Sequence, residues 1–161
     1  MTTSPRLRLS WGGATDQGRV RANNQDAMYA DWGLFVVADG MGGHQGGEVA
    51  ANLAVRAVAK AERGSVSDLR NAVVEANRLV HETAIAQPEL HGMGTTLTAL
   101  AVDQHGEGHQ FVVLNVGDSR VTATEITNLN NSPKTIVTWL NWSGGARSTM
   151  RLLLCTRTET C

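Results

Sequence analysis

Apolar residues recur with different periods along the first 120 residues, and each period predicts a different kind of element. Residues 34–40 form a short apolar run that ends in Asp-Gly, which predicts a buried strand stopping at a turn. Residues 93–103 alternate and are rich in Thr and Val, and residues 109–118 form a second strand-like run that ends in Gly-Asp. These two runs predict a hairpin of strands around a turn at residues 105–108.

A helical period separates the first predicted strand from this hairpin. Residues 48–62 are rich in alanine and place apolar side chains at helical spacing, which predicts a helix packed closely on a flat surface. Ser65 and Asp68 match a capping box, and apolar residues then recur at spacings of four and three as far as about Ile85. The order of strand, two helices and strand hairpin predicts a layered α+β fold with carboxylates at strand ends.

Composition narrows the class of protein. The chain has 161 residues, enough for one domain with a core. With 42% hydrophobic and 18% charged residues it matches neither a disordered chain nor a membrane protein, and a net charge of −1 predicts no recruitment of nucleic acid. No apolar run approaches the ~20 residues of a membrane span, and the N-terminus has no signal-peptide core. Cys155 and Cys161 make no disulfide framework, which favours a cytoplasmic protein.

The composition changes abruptly near residue 121. Residues 1–120 carry 13 acidic and 10 basic side chains, whereas residues 121–161 carry two acidic and four basic ones. The later stretch also holds nine threonines, two of the four tryptophans and both cysteines. A shift of this kind indicates a domain boundary or a foreign tail.

Three aspartates offer candidate chemistry. Asp26, Asp39 and Asp118 each lie beside small or polar residues at the end of a predicted element. Carboxylates that converge from strand ends are hard oxygen ligands suited to Mg²⁺ or Mn²⁺, although a single Asp-Gly is more typical of a simple turn. The glycine-rich loop at residues 41–47 allows the backbone to approach a ligand closely. Arg21, in the polar run RANNQD, is suited to bind two oxygens of a phosphate.

Four segments carry a family resemblance in order and spacing: GATDQGRVRANNQDAMYA, LFVVADGMGGHQGGEVAA, MGTTLTAL and VVLNVGDSR. Together they resemble the motifs of metal-dependent protein phosphatases of the PP2C (PPM) type, bacterial branch, over about residues 10–121. The resemblance implies a sandwich of two antiparallel sheets flanked by helices (α-β-β-α), of which this chain holds the N-terminal part. It also implies a two-metal site at one end of the sandwich.

The resemblance assigns roles to particular positions. Asp39 matches the carboxylate that bridges both metals, and Gly40 matches the glycine whose carbonyl coordinates one of them. Asp26 matches an acidic residue of the metal shell, and Asp118 matches an aspartate near an additional metal. Arg21 matches the arginine that holds the substrate phosphate, so that Arg21 and Asp39 are the expected catalytic residues.

The implied activity is hydrolysis of phosphoserine and phosphothreonine in proteins, by a water activated on two or more Mn²⁺ or Mg²⁺ ions. Phosphorylated proteins are the implied partners, together with a Ser/Thr kinase and its substrates. Two positions depart from the family pattern: Gln25 stands where many members carry Glu, and Met41 stands where some carry a histidine. His44 is nearby, and a histidine that stabilises the loop is favoured over a general acid there.

Two alternatives remain open. One is a catalytically inactive fragment that binds phosphoprotein or metal without turnover, because the two later metal-binding aspartates of the family have no counterpart in this chain. The other is a nucleotide site in the glycine-rich loop, which lacks the strand–GxxxxGK[ST]–helix arrangement and is therefore disfavoured.

The resemblance stops at about Val121. Codons can be chosen for residues 122–161 so that the frame beginning one nucleotide earlier reads YRYRDNQPQQLTEDHSDVAELVG, one or two undetermined residues, and then EIDHEAAAVHPHRNV. This text resembles the family's continuation. We therefore interpret residues 1–121 as the N-terminal portion of a phosphatase domain. Residues 122–161 are predicted to be a poorly ordered tail translated out of frame, in which Cys155 and Cys161 have no designed role.

Overall fold

The computed structural model describes residues 7–17, 19, 22–43, 45–61, 65–103, 110–127, 133–140 and 147–156. Within them lie nine strands and two α-helices, with a single 3₁₀ turn at Pro88–Leu90. The strands are β1 (Leu7–Asp16), β2 (Asp26–Asp31), β3 (Leu34–Met41), β4 (Gly94–Thr95), β5 (Leu97–Asp103), β6 (Gln110–Val116), β7 (Arg120–Thr127), β8 (Pro133–Leu140) and β9 (Arg147–Thr156). The helices are α1 (Gly46–Val58) and α2 (Val66–Ala86).

The strands form two antiparallel sheets. One sheet has four strands in the order β1-β9-β8-β7, and the other has the order β2-β3-β5-β6 with the short β4 paired to β3. β3 therefore lies inside the second sheet, and all of its residues from Leu34 to Gly40 are buried. A strand buried on both faces reads as a continuous apolar run, which is why this strand was predictable from the sequence.

The helices cover one face of the second sheet. Side chains alternate between faces along a strand, so Leu34, Val36 and Ala38 of β3 all point toward the helices. They pack with alanines of α1, whose small side chains let the helix lie close to the sheet. From α2, Leu69 and Ala76 complete this core.

The opposite face of the same sheet packs on the other sheet. Phe35, Val37 and Leu100 form a second buried cluster that receives Leu9 from β1 and Val121 from β7. Trp11 of β1 meets Phe35 edge to face, with ring centroids 5.5 Å apart. The described residues thus form three layers, helix, sheet and sheet. They confirm the α+β sandwich, and of the predicted α-β-β-α order they show one helical layer and both sheets. No helix of the described part combines the length and apolar character that a bilayer span requires.

Several predicted elements are confirmed, with shifted ends. The two helices begin and end within a few residues of the predicted limits, and the Oγ of Ser65 accepts a hydrogen bond of 3.2 Å from the N–H of Asp68. The strand predicted at residues 93–103 is split, because Thr96 interrupts it between β4 and β5. The predicted turn at residues 105–108 lies outside the described residues.

Strands also occur in segments for which the sequence analysis assigned no element. β1 and β2 have weak alternation of apolar and polar residues, which gives little signal for a strand. Within the described part of residues 122–161, β8 pairs with β7 and with β9, and β9 also pairs with β1. This stretch is rich in Thr and other residues that favour strands, so backbone pairing there needs no family-like sequence.

Candidate metal centre

The two buried carboxylates of the chain's second sheet lie directly opposite each other. Asp26 begins β2, and the antiparallel register pairs it with Asp39 near the end of β3. The two residues are only 8% and 5% exposed. Cross-strand partners project from the same face of a sheet, so both side chains share one surface. The structure therefore brings these two predicted site residues together.

That surface is the one between the two sheets. Period-two alternation places Asp26 on the same face as Met28 and Ala30, and Asp39 on the same face as Phe35 and Val37. These four apolar residues belong to the inter-sheet cluster. The two carboxylates thus lie at the end of the apolar layer between the sheets, where polar side chains follow the hydrophobic ones.

Asn24 fixes the start of β2. Its side-chain oxygen accepts a hydrogen bond of 3.1 Å from the N–H of Asp26, and its Nδ2 donates to Oγ1 of Thr15 at 2.8 Å. Thr15 belongs to β1, so the amide of Asn24 connects the two sheets beside the carboxylates. Sequence analysis placed Asn24 only in a polar run, although an Asn two residues before a strand-initiating Asp is a recognisable turn signal.

Gly40 allows two backbone segments to approach closely next to Asp39. Its N–H donates to the carbonyl of Gln25 at 3.0 Å. A Cβ at this position would lie 1.9 Å from the carbonyl oxygen of Gly47 and 2.6 Å from that of Gln25. Only glycine fits there, and its absence of a side chain brings the first turn of α1 against the end of β3.

The glycine-rich loop closes on itself through its backbone. The N–H of Gly47 donates to the carbonyl of Gly42 at 3.0 Å, and that of Gly46 donates to the carbonyl of Gly43 at 2.9 Å. Gly42 has a φ of 111°, which favours glycine. The loop thus provides close backbone approach, as expected, and carries the chain from β3 directly into α1.

A hydrogen-bonded pair of threonines holds the backbone of Asp39, and sequence analysis did not identify it. The carbonyl of Asp39 accepts from the N–H of Thr96 at 2.9 Å and from Oγ1 of Thr95 at 2.9 Å. The N–H of Asp39 donates to Oγ1 of Thr96 at 3.1 Å. The same Oγ1 lies 2.9 Å from Oγ of Ser119, which is 7% exposed. Two adjacent threonines interrupting a strand are the signal for such a network.

Asp118 lies next to this network on an exposed loop. It follows Gly117, whose φ is 99°, and precedes the buried Ser119. Its carbonyl accepts a hydrogen bond from Nε of Arg120 at 3.3 Å. Within the described ranges, no three His, Cys, Asp or Glu side chains are grouped closely enough to hold a metal ion. The structure therefore pairs Asp26 with Asp39 and leaves the Asp118 side chain outside a common cluster.

The structure describes only some of the other predicted positions. Arg21 and His44 lie outside the described residues. Met41 is 62% exposed at the end of β3, and the carbonyl of Gln25 is occupied by the bond from Gly40. The thioether of Met41 itself has no proton to transfer.

The donor set suits a hard divalent cation. Two carboxylates and nearby backbone carbonyls supply the oxygen ligands that Mg²⁺ and Mn²⁺ prefer, and such ions keep several waters as further ligands. The two carboxylates are buried on facing positions, so a single divalent cation could bind both of them. The residues present therefore fit a metal site at this end of the sandwich.

Comparison with known proteins identifies the family of the chain. Residues 16–133 match the family model described as protein phosphatase 2C. The serine/threonine protein phosphatase PstP of Mycobacterium tuberculosis is 39% identical over 119 residues, a match covering 71% of this chain and 22% of that relative. The chain thus spans about a fifth of the length of this curated relative.

Solved structures extend the comparison to the fold. The crystal structure of the M. tuberculosis phosphatase PstP/Ppp aligns with a TM-score of 0.64 at 34% identity, covering 84% of this chain and 55% of that one. The catalytic domain of PstP in complex with two manganese ions aligns with a TM-score of 0.75 over 93% of this chain. Its identity is 21%, so this second likeness concerns the fold alone.

Proposed function

Because the chain belongs to the protein phosphatase 2C family, we propose that it is the N-terminal part of a metal-dependent protein phosphatase. The substrates would be phosphoserine and phosphothreonine residues of proteins, and the location cytoplasmic. The observation that carries the proposal is the pairing of Asp26 with Asp39, two buried carboxylates at the end of the inter-sheet layer. A Ser/Thr kinase acting on the same proteins is the corresponding partner.

Different residues of the chain would bind the metal ions and the substrate phosphate. Asp26, Asp39 and the carbonyl of Gly40 would hold two Mn²⁺ or Mg²⁺ ions, and Asp118 would serve an additional one. When bound, the ions supply an activated water at neutral pH and neutralise charge on the phosphate. Arg21 would bind the phosphate through its fork of N–H donors and orient the ester for in-line attack. The buried inter-sheet layer behind the carboxylates strengthens each of these electrostatic contacts.

Relatives support both the activity and the metal. The aligned relative is named a serine/threonine protein phosphatase, and a solved PstP catalytic domain is described with two manganese ions. Manganese is therefore the metal of choice for a first assay of this chain.

A second candidate function applies to the chain as written. The chain contains no aspartate after Asp118, whereas the family resemblance calls for two later metal-binding aspartates. A chain lacking these ligands would bind metal or phosphoprotein without turnover. This is the function expected of the present polypeptide if residues 122–161 are its true continuation.

The proposed origin of residues 122–161 connects the two candidates. The other reading frame permits family-like text over this stretch, so we propose a single-nucleotide loss near codon 122. Strand pairing of β8 and β9 concerns the backbone and is compatible with either origin. Sequencing the DNA around codon 122 tests the proposal, and stop codons or unrelated text in the other frame would refute it.

An assay of paired chains tests the activity. The chain as written and a frame-restored chain are given p-nitrophenyl phosphate and a phosphothreonine peptide, with and without Mn²⁺. We expect Mn²⁺-dependent hydrolysis in the restored chain, loss of that hydrolysis in its Asp39→Asn variant, and metal binding without turnover in the chain as written. A folded, Mn²⁺-binding restored chain that hydrolyses neither substrate would overturn the proposal.

A further inference from the structure

We propose that the hydroxyl group of Thr96 is a positioning element of the metal centre, which fixes Asp39 and connects it to the Asp118 loop through Ser119. The inference rests on the proposed function in one respect, namely that Asp39 and Asp118 serve metal ions. The geometric part, in which one hydroxyl group joins two distant segments, stands on the hydrogen bonds alone.

Thr96 forms hydrogen bonds with both the carbonyl and the N–H of Asp39. Its own N–H donates to the Asp39 carbonyl at 2.9 Å, and its Oγ1 accepts from the Asp39 N–H at 3.1 Å. In a regular ladder the second bond would go to a backbone carbonyl, but here β4 ends and β5 has not begun. The side chain therefore replaces one ladder bond at the residue that carries the carboxylate.

The same oxygen reaches the other segment. A hydroxyl group has one proton and two lone pairs, so Oγ1 of Thr96 can accept from Asp39 and still share a hydrogen bond with Ser119 at 2.9 Å. Ser119 is buried and directly follows Asp118. A displacement of Thr96 would therefore move the backbone of Asp39 and the loop of Asp118 together.

The methyl group of Thr96 has a separate contact. A Cβ placed on Gly117 would lie 2.8 Å from Cγ2 of Thr96, so the Gly117 backbone packs directly on that methyl group. Gly117 is also the left-handed residue that turns the chain after β6. Thr96→Val keeps the packing and removes the hydrogen bonds, whereas Thr96→Ser keeps the hydroxyl and removes the methyl.

Thr98 provides a matched control. It lies two residues along on the same face, is fully buried, and donates its hydroxyl proton to Oδ1 of Asn115. Thr98→Val removes a buried hydroxyl group of the same kind without touching Asp39. Loss of a buried hydrogen bond destabilises both variants, so stability alone does not separate them.

The experiment measures Mn²⁺ dissociation constants by electron paramagnetic resonance, together with amide hydrogen exchange at Asp39 and Ser119 in metal-free protein. Thr96→Val should weaken Mn²⁺ binding about 10- to 100-fold, the usual effect of losing a group that orients a metal ligand. Thr96→Ser and Thr98→Val should stay within about 3-fold of the wild type on the same scale. Exchange at both amides should accelerate in Thr96→Val alone.

Several other results would overturn either this inference or the proposed function. Wild-type affinity in Thr96→Val, or an equal loss in Thr98→Val, overturns the positioning role. If the wild-type chain binds no Mn²⁺, the proposed function fails. In that case the inference is tested separately, and unchanged amide exchange at Asp39 and Ser119 in Thr96→Val overturns it. If Thr96→Val does not fold, Ser119→Ala removes the far end of the same connection, and normal Mn²⁺ binding with normal exchange at Asp39 overturns it.

Discussion

At the scale of single residues, Asp39 is held by contacts of its side chain, of its backbone and of the residue that follows it. Its side chain faces Asp26 across the sheet, its backbone is held by Thr95 and Thr96, and the next residue is a glycine pressed against Gly47. The sequence identified the Asp-Gly pair and the glycine-rich loop, because both residue types have well-known local preferences. It did not identify the threonine network, because that network depends on which strand lies beside β3.

Gly40 offers a test of the close approach between β3 and α1. Gly40→Ala places a methyl group 1.9 Å from the Gly47 carbonyl oxygen, which cannot move without displacing α1. We expect a loss of about 3 kcal/mol in the free energy of unfolding, at the upper end of overpacking effects. Gly43→Ala is the control, since a Cβ there meets nothing within 4 Å. Urea denaturation checks both, and equal stability of the two variants would contradict the described approach.

At the scale of elements, the strands and helices that bury a defined face were the ones that could be predicted from the sequence. β3 and the two helices have strong periods because each buries a defined face, and their existence followed from the sequence. β1 and β2 carry weaker patterns, because β1 contains adjacent glycines and exposed residues. The pairing of Asp26 with Asp39 could not be predicted from residues alone, since it requires knowing that β2 neighbours β3 in a given register.

Helix α2 carries an exposed ionic triad of Glu75, Arg78 and Glu82. Arg78 donates hydrogen bonds to Glu75 and Glu82, one turn away on either side. The bond from Arg78 holds the pKa of Glu75 below its ordinary value of 4.5. A carboxyl group whose pKa is lowered by folding stabilises the fold above its unfolded-state pKa, and that stabilisation disappears as the pH falls through the lowered value.

The Arg78–Glu75 pair should therefore contribute at pH 7 and progressively less as the pH falls below 4.5. Glu75→Gln should lower the urea midpoint slightly at pH 7, and the difference from wild type should decrease toward pH 3 and in high salt, since the pair is exposed. A difference for Glu75→Gln that persists unchanged at pH 3 would show that charge pairing is not its cause.

At the scale of the whole molecule, the described residues place an apolar cluster between the helices and their sheet and another between the two sheets. The family motifs predicted this sandwich, whereas composition and periodicity predicted only a layered α+β fold. The pairing of β8 with β7 and β9 could not be predicted, because residues that favour strands pair readily whether or not their sequence was selected for this fold. The packing of the two sheets is thus the property that most needs a direct test.

Phe35 provides that test. It is fully buried between the sheets and contacts Trp11, so Phe35→Ala should cost about 3–5 kcal/mol of unfolding free energy. Phe111→Ala is the matched control, because Phe111 is 37% exposed on the edge strand β6 and should cost clearly less. The measurement is urea denaturation followed by tryptophan fluorescence. If both variants lost the same stability, the inter-sheet core described above would be wrong.

The central claim is that Asp26 and Asp39 form a metal site, and calorimetric titration of the chain with Mn²⁺ tests it most directly. Asp26→Asn and Asp39→Asn keep the size of each side chain and remove its charge, whereas Asp31→Asn makes the same change at the opposite end of β2. We predict that Mn²⁺ binds to the wild type and to Asp31→Asn, and that its affinity falls at least about 100-fold in the other two, the upper range for a lost metal-site interaction. Equal Mn²⁺ affinity in all four proteins would contradict the account.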